Sequence, residues 1–124
     1  MERRLFQRIP VHISVAVTTE DGLHIQVAGV ELSSDGLGIE CNTKQRNMIT
    51  PGGCFVRNGR PLSLFIDLSL ADDNQLSKIV ARCHVAFSRR ISSDKCKIGL
   101  RYADIENNGH EQIIKFIEKN LEFV

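Results

Sequence analysis

Hydrophobic and polar residues alternate along most of this chain, which is the pattern of a β-strand with one buried face. The period of two occurs in six segments, at residues 11–18, 24–32, 37–41, 62–68, 79–87 and 98–102. Turn-forming residues, such as those at 20–22 and 33–36, separate most of these segments. The pattern therefore predicts six strands in an antiparallel sheet, closed or nearly closed into a barrel, over residues 11–103.

Only the last segment changes its period. Asn108, followed three residues later by Glu111, is typical of a helix N-terminus. Apolar residues then recur at helical spacing, which predicts an amphipathic helix over residues 108–122 that covers one end of the barrel. Residues 42–60 hold a proline and three glycines and are predicted to be a loop or an irregular excursion. We expect one domain over residues 1–124, with residues 1–10 as a flexible arginine-rich arm.

The charge balance and the distribution of apolar residues exclude some classes of protein. Sixteen basic and fifteen acidic residues leave a formal charge of +1, whereas a protein that coats duplex DNA or RNA carries a large basic excess. No stretch approaches the ~18–20 consecutive apolar residues of a membrane span. The first ten residues lack the apolar core of a secretory signal. We therefore expect no membrane insertion, no DNA or RNA partner and a cytoplasmic location.

Cysteines and histidines show no spacing that is typical of a metal site. No CxxC pair occurs among the four cysteines, which are Cys41, Cys54, Cys83 and Cys96. Cys41 and Cys83 lie in apolar runs, where a free thiol behaves as a small hydrophobic group. The sequence favours buried, reduced thiols over a metal or disulfide role, and we expect neither a metal nor a cofactor.

Two short segments carry the residues best suited to binding. Arginines occupy three of the first eight positions, at Arg3, Arg4 and Arg8. The planar guanidinium group bonds phosphate oxygens two at a time and stacks on flat rings. The second segment follows the second strand, where Glu31 offers a carboxylate, Ser33 offers a hydroxyl and Gly36 is expected to adopt a positive φ. Taken singly, a solvated basic terminus and a polar β-turn are the simpler interpretations.

Together the two segments match a known pair of motifs. Residues 4–8, Arg-Leu-Phe-Gln-Arg, have the form RxxxR, and residues 31–36, Glu-Leu-Ser-Ser-Asp-Gly, have the form (D/N)xSxxG except at the first position. This pair, in this order and with a strand after the first motif, resembles the PilZ domain family of bacterial cyclic di-GMP receptors. Residues 97–102, Lys-Ile-Gly-Leu-Arg-Tyr, look like the late glycine-containing strand of the family. The resemblance covers the whole chain and implies a six-stranded antiparallel barrel, to which many members add a C-terminal helix.

The resemblance also implies roles for individual residues. Arg4 and Arg8 would bond phosphate oxygens or the guanine O6 and N7 acceptors. Glu31 replaces the usual Asp or Asn and would accept from guanine N1–H and N2–H with a longer side chain. Ser33 would bond a phosphate or a base edge, and Gly36 would let the backbone approach the ligand.

The implied activity is binding rather than catalysis, so we expect no enzyme. An arginine, Arg3, immediately precedes RxxxR, and in the family this arrangement is associated with two cyclic di-GMP molecules per chain. Ligand binding would order the arginine-bearing arm over the barrel and present a new surface to an unidentified downstream protein. The sequence is compatible with a monomer or a weak dimer.

Two other functions compete with a cyclic di-GMP receptor. The substitution at Glu31 leaves open a degenerate PilZ-like adaptor that binds a protein without nucleotide. A small barrel that binds single-stranded nucleic acid fits less well, because it needs exposed rings for stacking and Phe65 and Phe87 fall on the predicted core face. Arg89 and Arg90, at the end of the fifth predicted strand, are expected to form a solvated strand end rather than part of the site.

Overall fold

The computed structural model describes residues 8–72 and 74–121. Six long strands alternate with turns: β1 (Arg8–Thr19), β2 (His24–Ser33), β3 (Gly36–Cys41), β6 (Ser63–Asp72), β7 (Gln75–Ser92) and β8 (Lys95–Ile105). Two short strands, β4 (Val56–Arg57) and β5 (Arg60–Pro61), form a separate hairpin. Two α-helices, α1 (Thr43–Ile49) and α2 (Gly109–Leu121), and one 3₁₀ turn (Pro51–Gly53) complete the described elements.

The six long strands form one antiparallel sheet in the order β1-β2-β3-β8-β7-β6. Since β6 also pairs with β1, between Val15↔Leu68 and Thr19↔Leu64, the sheet closes into a barrel. Because the barrel is closed, each of the six strands pairs with a neighbouring strand on both sides. The predicted fold class, a six-stranded antiparallel barrel with a C-terminal helix, is confirmed.

Alternation along the strands builds the core inside the barrel. Val15, Val17, Ile66 and Ile79 are almost completely buried, while their neighbours in each strand face outwards. The first strand begins earlier than predicted, because Arg8, Ile9 and Pro10 pair with Ser33, Leu32 and Glu31. These three residues, assigned from sequence to the flexible arm, are therefore part of β1.

Helix α2 packs its apolar side against β1, β2, β6 and β7. Ile113 and Ile117 are buried in the core, and Phe116 and Leu121 pack against it. The predicted helix is confirmed, and its described residues agree with the predicted range of 108–122 to within one residue at each end. Neither helix in the described ranges is long and apolar enough to cross a membrane.

The segment 42–60 is more regular than predicted. Helix α1 occupies its first part and begins with a capping box, in which the Asn42 side chain accepts from the backbone N–H of Gln45 at 2.7 Å. The Gln45 side chain in turn accepts from the backbone N–H of Asn42 at 3.0 Å. The β4–β5 hairpin follows, with Asn58 and Gly59 at positive φ in its turn. The prediction of an irregular loop was wrong for the helix, which the capping box signals in the sequence.

Candidate functional site

The residues of the second motif meet Arg8 around one concavity on the outside of the barrel. Arg8, Glu31, Ser33 and Gly36 all line this concavity, whose volume is about 120 Å³. They meet because β1 and β2 pair antiparallel, which places Arg8 opposite Ser33. Arg3 and Arg4 lie outside the described residues, so their predicted roles stay predictions.

Glu31 is the electrostatic centre of the concavity. Its Oε1 atom lies 3.3 Å from Arg8 Nη1 and 3.6 Å from Lys97 Nζ. The Lys97 side chain is only 18% exposed, and its stem passes close to Gly38, where a Cβ would lie 3.3 Å from Lys97 Cε. One carboxylate oxygen therefore holds two cations from different strands at the edge of the concavity.

A β-bulge gives Glu31 its outward orientation. Gly29 pairs with Ile39 and Glu31 pairs with Gly38, so Val30 is an extra residue in β2 relative to β3. Residues two apart normally share a face of a strand, but the bulge changes the phase between Gly29 and Glu31. Leu32 consequently points into the core, where it is completely buried, and Glu31 faces the outer surface.

Ser33 holds the turn between β2 and β3. It is 4% exposed, and its hydroxyl oxygen accepts from the backbone N–H groups of Gly36 at 3.1 Å and Asp35 at 3.3 Å. Its O–H donates to Asp35 Oδ1. A serine hydroxyl has one donor and two acceptor positions, so these bonds use its full capacity. A direct bond from Ser33 to a ligand requires Asp35 to give up its contact.

Gly36 is required for a different reason from the one predicted. Its φ is not positive, since the glycines with positive φ are Gly22, Gly52, Gly53 and Gly59. A Cβ at Gly36 would lie 2.2 Å from the backbone oxygen of Leu100. The glycine therefore permits β3 to approach β8 closely, and the predicted left-handed conformation was wrong.

Two more glycines make the floor of the concavity. Gly38 pairs with Gly99 across β3 and β8, and Gly99 pairs with Phe87 of β7. A Cβ at Gly99 would lie 2.2 Å from a ring atom of Phe87, so the ring lies over this glycine. The guanidinium carbon of Arg89 lies 5.7 Å from the centre of the same ring, within cation–π distance. The Phe87 ring, with the Arg89 guanidinium group near its face, thus lies beside the flat floor formed by the two glycines.

Both phenylalanines assigned to the core face outwards. Phe87 follows a bulge at Ala86, which changes the phase of β7 and moves the ring from the core face to the concavity. Phe65 lies between the buried residues Leu64 and Ile66 and is 49% exposed. The predicted core positions of both rings were wrong, and Arg89, expected to be part of a solvated strand end, contacts a residue of the site.

Sequence reasoning missed several residues that line the concavity or its edge. They are Asp35, Gly38, Phe87, Lys97, Gly99 and Arg101. Lys97, Gly99 and Arg101 belong to the segment that resembles a late family strand, but their proximity to Arg8 follows from the pairing of β8 with β3. Three cations, Arg8 from β1 and Lys97 and Arg101 from β8, thus lie around the carboxylates of Glu31 and Asp35.

Comparisons with known proteins identify the family and the fold of the chain. The family model for the PilZ domain matches residues 2–119. The inhibitor of motility MotI/DgrA from Bacillus subtilis is similar in structure, with a TM-score of 0.72 and 18% sequence identity over 98% of this chain. The chain spans 53% of the length of that protein.

A second solved structure is the PilZ domain of YcgR from Escherichia coli with c-di-GMP. Its TM-score is 0.57 at 13% sequence identity, and the match covers 98% of this chain and 92% of that domain. At these identities the two structures support the fold alone. No curated protein sequence matches the chain significantly.

Proposed function

The chain belongs to the PilZ domain family, and on that premise we propose that it is a cyclic di-GMP receptor that signals through protein contacts. The observation that carries the proposal is the convergence of Arg8, Glu31, Ser33 and Gly36 around one surface concavity. These residues come from two motifs that lie more than twenty positions apart in the sequence. Their convergence supports a site for one ligand that carries both phosphates and bases.

Charge in and beside the concavity suits the phosphates of such a ligand. The Arg8 side chain is 51% exposed, and its contact with Glu31 uses one of the five N–H donors of a guanidinium group. We propose that Arg8 bonds phosphate oxygens, with Lys97 as a further cation at the edge. Arg3 and Arg4 are proposed to add two more guanidinium groups once ligand is bound.

Shape and hydrogen-bonding groups suit a guanine base. The floor formed by Gly38 and Gly99 is flat, and Phe87 provides a ring at its side against which a base plane can pack. Oε1 of Glu31 contacts the two cations, and we propose that Oε2 accepts from guanine N1–H and N2–H. Ser33 contributes by holding the turn that carries these groups.

A concavity of about 120 Å³ is smaller than the ~300–1,000 Å³ of a site that encloses a small ligand. We propose that the described residues hold one side of the ligand and that the segment bearing Arg3 and Arg4 closes over the other side. Closure then creates a composite surface, made of that segment and the adjacent barrel strands, which a downstream protein recognises.

Isothermal titration calorimetry with cyclic di-GMP tests the proposal. We expect saturable binding of cyclic di-GMP and much weaker binding of cyclic di-AMP, which has the same phosphate ring but lacks the guanine donors. A short single-stranded oligonucleotide, titrated over a range of salt concentrations, tests the nucleic-acid alternative, since a protein that follows phosphates loses affinity steeply as salt rises. The absence of cyclic di-GMP binding at micromolar protein would refute the receptor function.

The ion pairs of Glu31 favour one alternative, a PilZ adaptor that binds a protein without nucleotide. In this structure Glu31 already neutralises Arg8 and Lys97, at 3.3 Å and 3.6 Å, so an anionic ligand must compete with an internal carboxylate. The same titration separates the two functions, because an adaptor of this kind would bind neither cyclic dinucleotide.

A further inference from the structure

Two cysteines lie directly opposite each other in adjacent strands of the barrel, at the end of β3 that is farther from the second motif. Cys41 is the last residue of β3, and its direct partner in β8 is Cys96. The two are far apart in the sequence and meet only because β3 and β8 pair antiparallel. Both are buried, with 7% and 2% exposure, and both are free thiols in this structure.

The strand register of this pair is compatible with a disulfide. Directly opposed residues in an antiparallel pair have Cα atoms about 4.5 or 5.5 Å apart, and their side chains project from the same face of the sheet. A disulfide spans Cα distances of about 4.4–6.8 Å. The Cα distances of both types of opposed pair therefore fall inside the range that a disulfide spans.

The titration behaviour of Cys41 agrees with close thiols. Burial raises the pKa of Cys41 to about 11, and the neighbouring Cys96 thiol adds to this increase. This influence of Cys96 on Cys41 agrees with the direct opposition of the two residues in the strand register. Because most of Cys41 is protonated at neutral pH, oxidation needs a strong or sustained oxidant.

The other two cysteines lack this arrangement. All four lie in the described part of the chain, and Cys83 is opposed by Leu64 on one side and Tyr102 on the other. Cys54 is exposed in the segment between α1 and β4. Among the four, the pair of Cys41 and Cys96 is the one that the strand register places in direct opposition.

We propose that Cys41 and Cys96 form an intramolecular disulfide when the protein is exposed to hydrogen peroxide. One thiol loses its proton, attacks hydrogen peroxide as the thiolate and is oxidised to a sulfenic acid, and the hydroxide that leaves takes up the proton to form water. The second thiol then attacks the sulfenic sulfur, which forms the S–S bond and releases a second water. Two thiols lose two electrons and two protons in total, and the peroxide is reduced to two waters.

The disulfide joins the two strands that carry the floor of the candidate site, since β3 holds Gly36 and Gly38 and β8 holds Gly99. Cross-linking distant parts of a chain lowers the conformational entropy of the unfolded state. The oxidised protein should therefore have a higher melting temperature than the reduced protein. The inference does not depend on the ligand of the site, because it rests on the strand register alone.

The test uses Cys54→Ser protein, so that the exposed thiol cannot form dimers. After treatment with hydrogen peroxide, we expect an intact mass lower by two hydrogens and a single disulfide-linked peptide pair containing Cys41 and Cys96 in non-reducing peptide mapping. Dithiothreitol should restore the mass and lower the melting temperature. Adding Cys96→Ala should abolish the bond, while adding Cys83→Ala should leave it intact.

Peptide mapping of the Cys54→Ser protein needs no substitution in the core, so it decides the question even if a core variant fails to fold. Three free thiols after peroxide treatment, or a linked pair that includes Cys83, would overturn the proposal. So would oxidation of one thiol to a sulfinic or sulfonic acid without formation of the bond.

Discussion

Replacing Arg8 with alanine gives the sharpest test of the candidate site. Arg8 lies in β1, lines the concavity and contacts Glu31 at 3.3 Å with a side chain that is half exposed. An exposed ion pair of this kind contributes about 0–1 kcal/mol to folding. Hydrogen bonds to charged groups contribute about 1.5–3 kcal/mol each. Arg8→Ala should therefore weaken cyclic di-GMP binding roughly 10- to 150-fold and change the free energy of unfolding by less than about 1 kcal/mol.

Arg57 provides a matched control for this variant. Its side chain is 42% exposed and also forms exposed ion pairs, with Asp21 at 3.3 Å and Glu20 at 3.7 Å. These partners follow the far end of β1, roughly 40 Å along the strand from Arg8 at about 3.3 Å per residue. Arg57→Ala removes the same charge and similar contacts, so it should leave the affinity within about two-fold of the wild type.

Calorimetric titration of the two variants at matched salt, with unfolding measured by urea titration, completes the experiment. Equal affinities of the Arg8 and Arg57 variants would refute the phosphate-binding role of Arg8. A large loss of stability in Arg8→Ala would instead mean that Arg8 supports the pairing of β1 with β2, and that any loss of binding is indirect.

Substitutions at four further positions test other parts of the site. Glu31→Asp should raise the affinity measured by calorimetry, because the shorter side chain moves the carboxylate away from Arg8 and keeps an acceptor for guanine. Glu31→Ala should lower the affinity about ten-fold, because the acceptor is lost. An unchanged affinity of the alanine variant would show that Glu31 does not contact the ligand. Gly36→Ala should lower the free energy of unfolding by about 1–3 kcal/mol in urea, because its Cβ would lie 2.2 Å from a backbone oxygen. In Gly38→Ala the new Cβ would meet side-chain atoms at 3.2–3.3 Å, so this variant should lose less unfolding free energy than Gly36→Ala and should bind ligand less well. Equal unfolding free energies of the two variants would contradict the argument. Arg3→Leu should reduce the number of ligands per chain from two to one in native mass spectrometry, and a wild-type ratio of one would remove the role assigned to Arg3.

The fold could be predicted from sequence because its main signal is local and repeated. Alternation of apolar residues identifies the six strands, and the change to helical spacing identifies α2. The helix α1 was missed although its capping box is also local, since the nearby proline and glycines dominate the composition of that segment. Those residues form the turn that ends the helix and the hairpin that follows it.

The membership of the site could be predicted only in part. Arg8, Glu31, Ser33 and Gly36 are adjacent to one another in the structure because β1, β2 and β3 are consecutive antiparallel strands. Lys97 enters from β8, which is far away in the sequence and adjacent only after the barrel is assembled. Its contact with Glu31 depends on the register of two strand pairs, which the alternation of residues within one strand does not determine.

Bulges explain why Phe87 was assigned to the wrong face and why periodicity alone does not place Glu31 on the outer surface. The alternation of β7 continues without interruption through Val85 to Phe87 in the sequence, but the extra residue Ala86 reverses the phase of the strand relative to β8. The extra residue Val30 does the same in β2 and turns Glu31 outwards while Leu32 remains in the core. Both bulges border the same pair of glycine-bearing strands, so each moves one chemically distinct side chain onto the rim of a flat floor. A strand without bulges would bury Phe87 and point Glu31 into the core, and the barrel would then have no carboxylate and no ring beside Arg8. The irregularities that defeat a prediction from periodicity are therefore the features that bring the groups of the site together.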